Sequence, residues 1–187
     1  MDMDRLRTSA AALWLVAVVG FPIGGFLGHM IAGPASTATS ALLSGLVAGA
    51  VIGLAQALSL GLRAQALAWW TIGTAAALAT ALGLVTVAIG QIETSTEAIA
   101  LGAVSGVVIG AVQAFLFMRA GVANAWMWVA ASAIAWAVGW LITSGIGVAL
   151  APGWPVYGLS GAIASQVITA VALWRLVPSR ETLHAAA

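Results

Sequence analysis

The sequence predicts an all-α integral membrane protein: six transmembrane helices, written as three tandem parallel hairpins with pseudo-threefold symmetry and both termini cytoplasmic. Three observations carry this expectation. The 187 residues are 63% hydrophobic and only 6% charged, with a mean hydropathy of +1.11, far outside the range of a soluble domain. Six apolar runs each reach the roughly 20 residues that a membrane crossing needs. Landmark residues recur about every 56 positions. A single membrane domain over 1–187 is expected, with repeats at about 7–62, 63–118 and 119–175 and a cytoplasmic tail at 176–187.

The predicted spans lie near 9–31, 39–61, 66–90, 98–118, 125–150 and 156–177. They are read as helices because lipid offers backbone groups no partner. The first is preceded by Arg5 and Arg7 and followed by "AGPA", features shared with a cleaved signal peptide. Its length and its membership of the repeat favour a retained span. The second follows the turn-rich "AGPASTATS". The fourth opens on "TSTE", with Thr94 and Glu97 in capping-box spacing, while Asn124 precedes the fifth and "APGWP" the sixth.

Arginine supplies all six basic residues. If six spans alternate, Arg5, Arg7, Arg63, Arg119, Arg175 and Arg180 fall on one side, and Glu93 and Glu97 on the other. The positive-inside rule then places both termini in the cytoplasm of a cell whose inner (plasma) membrane holds the protein. Trp14, Trp69, Trp70, Trp126, Trp128 and Trp174 fall near the arginine side and read as headgroup anchors.

Arg7, Arg63, Arg119 and Arg175 are spaced by 56 residues, as are Trp14, Trp70 and Trp126. The second helix of each hairpin carries small residues: Gly45, Gly49 and Gly53 in the first copy, then Gly102, Gly106 and Gly110, each offset by 57. In the third, Gly158 keeps the register, Ala162 replaces the middle glycine and Gln166 the last. Glycines four apart make one flat face, so the even helices are expected inside and the odd ones outside. Gln56 and Gln113 stand 11 residues beyond Gly45 and Gly102, as Thr169 does beyond Gly158, with Gln166 at 8. All return to the glycine face, and at about 1.5 Å per residue Gln56 and Gln113 lie about 10 Å inside the membrane. Amides at that depth need partners, so Gln56, Gln113 and Gln166 are expected to converge on the pseudo-threefold axis.

The pattern G-x-x-x-G-x-x-Q, followed by a basic residue and a Trp-rich helix, runs here from Gly49 to Trp70 and from Gly106 to Trp128. It resembles the repeats of uncharacterised bacterial six-helix membrane proteins, a resemblance that implies an architecture and no activity. Three hairpins are also similar in outline to mitochondrial carriers, without their proline-acidic-basic signature.

Composition excludes much chemistry. The chain has no cysteine, and a net charge of +1 provides no basic surface for nucleic acid. Of five acidic residues and two histidines, Asp2, Asp4, Glu181 and His184 lie in the tails. No nucleophile with a base in reach can be assembled, so no enzyme activity, metal or cofactor is expected. His29, near the outer end of the first span, is read as an interfacial histidine, with a proton-linked or metal role as its functional counterpart. Glu97 reads as a cap and Glu93 as a solvated loop residue, with cation attraction at an entrance as the alternative.

The functional expectation is a small transport protein or channel for a neutral or weakly polar solute, with Gln56, Gln113 and Gln166 as its polar contacts. The alternative is a non-catalytic structural or accessory subunit of a membrane complex, in which the same amides join helices. A second alternative is the substrate-binding membrane component of a vitamin importer. The lipid bilayer is the expected partner, together with further copies of the chain or a larger complex. A water-filled vestibule would favour transport, and a filled axis the scaffold.

Overall fold

The computed structural model describes residues 11–148, 150 and 153–176. Arg5, Arg7 and Arg180, and the tail residues Asp2, Asp4, Glu181 and His184, lie outside the described residues. The fold is all-helical: α1 (Ala11–Ala32, interrupted by a 3₁₀ turn at Ala17–Val19), α2 (Ala38–Ser59), α3 (Ala64–Ile89), α4 (Ser95–Arg119), α5 (Met127–Gly145) and α6 (Leu159–Leu176). All six are long and apolar enough to cross a membrane, which makes a bilayer their environment.

Local chemistry sets the boundaries. Helix α2 starts in a capping box in which Thr37 Oγ1 accepts the Ser40 N–H at 3.2 Å and Ser40 Oγ accepts the Thr37 N–H at 3.1 Å. Helix α4 repeats the device, with the Glu97 N–H donating to Thr94 Oγ1 at 3.2 Å and the Thr94 N–H to Glu97 Oε2 at 2.9 Å. Three helices end in the same way. Gly61, Gly121 and Gly147 take positive φ of 73°, 74° and 82°, and the next residues, Leu62, Val122 and Val148, return their N–H to Ala57, Phe117 and Thr143 carbonyls. The turn at Gly147 stops α5 at Gly145, short of the expected 150, and α6 begins only at Leu159. The connector leaves α5 exposed at Ile146 and Val148 and turns inward before α6, where Val156 and Tyr157 are buried.

The core has two layers. Trp14, Ala57, Leu60, Trp70, Phe117, Trp128 and Leu173 form one, and Phe21, Ile52, Leu78, Ile109, Trp136 and Tyr157 the centre of the other. The first layer draws on the starts of α1, α3 and α5 and the ends of α2, α4 and α6. Successive helices therefore alternate in direction, with Arg63, Arg119 and Arg175 at one end and Glu93 and Glu97 at the other. Outward positions such as Val16, Met30, Leu58, Ile72, Val87 and Ile134 are exposed and apolar, as a lipid-facing surface requires.

The glycine faces pack against the following helix rather than lining an axis. A Cβ at Gly45, Gly49 or Gly53 of α2 would stand 2.8 Å from Ala79 Cα, 2.7 Å from Ala75 Cα and 2.9 Å from Thr74 Cβ of α3. At Gly102, Gly106 or Gly110 of α4 it would stand 2.6 Å from the Trp136 carbonyl, 2.6 Å from Ala133 Cα and 2.9 Å from Val129 Cα of α5. Backbones this close exclude any side chain, which is why glycine occupies the positions. Gly158 differs: its nearest neighbour, Thr143 Cγ2, would be at an ordinary 3.7 Å. Gly161 makes the close approach instead, against the Gly139 carbonyl. Nor are the odd helices an outer ring. They supply Trp14, Phe21, Leu78 and Trp128 to the centre, all fully buried, because aromatic side chains reach where glycine cannot.

Candidate functional site: a tryptophan and glutamine network

Polar side chains gather in the arginine-end layer. Trp70 Nε1 of α3 donates to Gln56 Oε1 of α2 at 3.3 Å, and Trp128 Nε1 of α5 donates to Gln113 Oε1 of α4 at 2.9 Å. Trp14 Nε1 of α1 donates to Thr169 Oγ1 of α6 at 2.8 Å. Gln56, Gln113 and Thr169 are the three residues 11 positions beyond Gly45, Gly102 and Gly158. Each accepts an indole from the odd helix packed beside it.

The amides do not close into a ring of three. Gln113 Nε2 bonds Gln56 Oε1 at 2.9 Å and Thr74 Oγ1 at 3.1 Å, joining α2, α3 and α4. Gln166 Nε2 turns to the carbonyl of Trp14 at 2.8 Å. Gln166 replaces the last glycine of the α6 face, and its amide meets α1 just before the 3₁₀ turn at Ala17–Val19. A side chain bonded into a carbonyl ladder is a recognised cause of such a break. Thr169 Oγ1 donates in turn to the Ser165 carbonyl at 2.8 Å.

The indoles also hold one another. Trp14 meets Trp128 edge-on at 5.6 Å and Trp70 at 6.3 Å, and Phe117 closes the circuit to Trp70 at 5.1 Å and Trp128 at 5.2 Å. Such pairs contribute about 0.5–1.5 kcal/mol each beyond burial. Trp14, Trp70 and Trp128 are thus core residues and not headgroup anchors, whereas Trp69, Trp126 and Trp174 are exposed. The 56-residue spacing that pairs Trp70 with Trp126 selects the wrong indole. Gln56 and Trp70 are 14 residues apart, Gln113 and Trp128 15, because the connector after α4 is longer.

At the opposite end, Tyr157 donates to Ser165 Oγ at 2.7 Å, stacks on Phe21 at 5.3 Å and meets Trp136 edge-on at 5.2 Å. Gly139 gives its ring room, since a Cβ there would meet it at 2.7 Å. Burial pushes the phenol's pKa upward, keeping it a neutral donor. His29 stacks on Trp154 at 4.3 Å, and its Nδ1 is buried without a partner. Glu97 is engaged as the α4 cap, also accepting the Glu93 N–H at 3.0 Å. Among the described residues no cluster of three metal-ligating side chains is present.

Sequence reasoning missed Trp14, Trp70 and Trp128 as amide partners, and Gly20, Gly24 and Gly28 of α1, whose faces touch Ala55, Ala48 and Ser44 of α2. The four-residue spacing of those glycines was the available signal. No protein-family model matches this chain, and neither a curated protein nor a solved structure does.

Proposed function

We propose that the chain is a non-catalytic structural or accessory subunit of a membrane complex, built from three hairpins related by a pseudo-threefold axis. One observation carries this reading. The groups best suited to meet a solute, Gln56, Gln113 and Thr169, accept indole N–H groups from neighbouring helices and are 4%, 2% and 4% exposed. Polar side chains used in this way join helices. The three equivalent indole bonds support the pseudo-threefold relation. Arg63, Arg119 and Arg175 at one end, against Glu93 and Glu97 at the other, support cytoplasmic termini in a bacterial inner membrane.

Transport of a neutral or weakly polar solute is the second reading. Ser105 Oγ and Thr143 Oγ1, both on helices and 1% exposed, have no hydrogen-bond partner and favour it. Stopped-flow shrinkage of proteoliposomes in glycerol and in urea separates the two. The structural reading expects solute entry equal to that of protein-free vesicles, and native gels of source membranes should place the 18.7 kDa chain in a larger complex. Entry above background that Gln113→Leu abolishes without lowering thermal stability would overturn it in favour of transport.

A further inference from the structure

At the arginine end, the start of α3 and the end of α4 enclose a cavity of about 460 Å³, the size of a small-molecule site. Its floor is aromatic and buried, formed by Trp70 and Phe117. Its walls are Trp69 and Phe115, which are 55% and 54% exposed on the apolar outer surface, so the cavity opens sideways toward acyl chains. Its polar rim is Gln65 and Arg119, both exposed.

The rim is electrically one-sided. Glu93 and Glu97 are the only acidic residues among those described, and both stand at the opposite end of the bundle. Arg119 therefore has no carboxylate counter-charge among the described residues. Gln65 also belongs to the first turn of α3, whose N-cap, Arg63, makes no side-chain capping bond. The positive end of that helix adds to the field of the guanidinium. A free inorganic anion would use the rim and leave the aromatic floor empty. A molecule with an anionic head and apolar chains fits both.

We propose that this cavity binds an acidic phospholipid of the arginine-side leaflet, its phosphate at Arg119 and an acyl chain between Trp69 and Phe115. Basic pockets between membrane helices recognise such headgroups through charge and bidentate geometry. The site shares its floor, Trp70 and Phe117, with the tryptophan and glutamine network, but Arg119, Trp69 and Phe115 take no part in the glutamine bonds, and the proposal holds under either reading of function.

Native mass spectrometry of the full chain in neutral detergent, titrated with phosphatidylglycerol or phosphatidylcholine of matched chains, tests it. Wild type should retain phosphatidylglycerol over phosphatidylcholine by about fivefold, the scale of one basic side chain against an anionic surface. Arg119→Gln should abolish the preference, Ala66→Trp should reduce retention of both lipids, and Arg175→Gln should leave the preference intact. Circular dichroism of each variant confirms folding, which substitution of the exposed Arg119 leaves unchanged. Equal retention of the two lipids by wild type would overturn the proposal. So would equal losses from Arg119→Gln and Arg175→Gln, which would mean general surface charge, or displacement of the lipid by millimolar inorganic phosphate, which would mean a free-anion site.

Discussion

Gln113 donates its amide N–H to Gln56 at 2.9 Å, joining two helices whose glutamines are 57 residues apart in the chain. The bond makes the two positions unequal. Gln113 also holds Thr74 and the Trp128 indole, so its loss breaks bonds to three helices and strands the Trp128 indole, while loss of Gln56 strands the Trp70 indole and one amide hydrogen. Interhelical bonds in membranes average about 0.6 kcal/mol and reach about 1.7 kcal/mol. Gln113→Leu should therefore destabilise by about 1–2 kcal/mol and Gln56→Leu by less, measured by reversible unfolding in mixed micelles. The double variant should cost less than the sum. Strict additivity would mean that the amides do not interact.

Two tryptophans two residues apart should behave oppositely. Trp128 is fully buried between Trp14 and Phe117, and Trp126 is 65% exposed. Trp128→Ala removes a large core side chain and should cost about 3–5 kcal/mol. Trp126→Ala should change stability by no more than about 0.5 kcal/mol. Tryptophan fluorescence supplies a second check, since acrylamide should quench the signal lost with Trp126 far more than the signal lost with Trp128.

That pair shows how much could be read beforehand. Six helices were legible because length and apolarity suffice to specify them, and the Thr94–Glu97 cap because its spacing is local. The glycine faces were legible as faces, yet their partners were not. Periodicity fixes which residues share a side of a helix and says nothing about the helix across from it. Trp14 and Trp70 looked like interfacial anchors because an indole near a helix end has the same spacing whether its N–H meets a headgroup or a glutamine. Tyr157 was hidden for a related reason: it falls at the edge of the expected sixth span, 156–177, and only the space left by Gly139 on the neighbouring helix admits its ring to the core.

Glycines of one sequence pattern should differ in tolerance. At Gly106 a Cβ would press on Ala133 Cα and the Ser132 carbonyl, backbone that cannot rotate away. Gly106→Ala should destabilise by about 1–3 kcal/mol, the cost of overpacking, and Gly106→Leu should prevent the α4–α5 pair from forming. Gly158 has only the Thr143 side chain near it, at ordinary contact distance, so Gly158→Ala should stay within about 0.5 kcal/mol. Thermal melts in one detergent, followed by loss of monomer on gel filtration, give the comparison. Equal sensitivity at the two sites would contradict the packing described for the α4 face.

The orientation of the bundle in its membrane can be tested cleanly, because the chain has no native cysteine. Arg63 and Glu93 are both outside the helices, one at each end of α3. The arginine end is expected on the cytoplasmic side, since moving Arg63, Arg119 and Arg175 across a membrane during insertion is disfavoured while Glu93 and Glu97 exert little pull. A membrane-impermeant maleimide added to intact cells should label Glu93→Cys at once and Arg63→Cys only after permeabilisation. Labelling of Arg63→Cys in intact cells, with Glu93→Cys protected, would invert the bundle. It would also move the proposed phospholipid site to the outer leaflet, leaving the helix packing and the glutamine bonds unchanged.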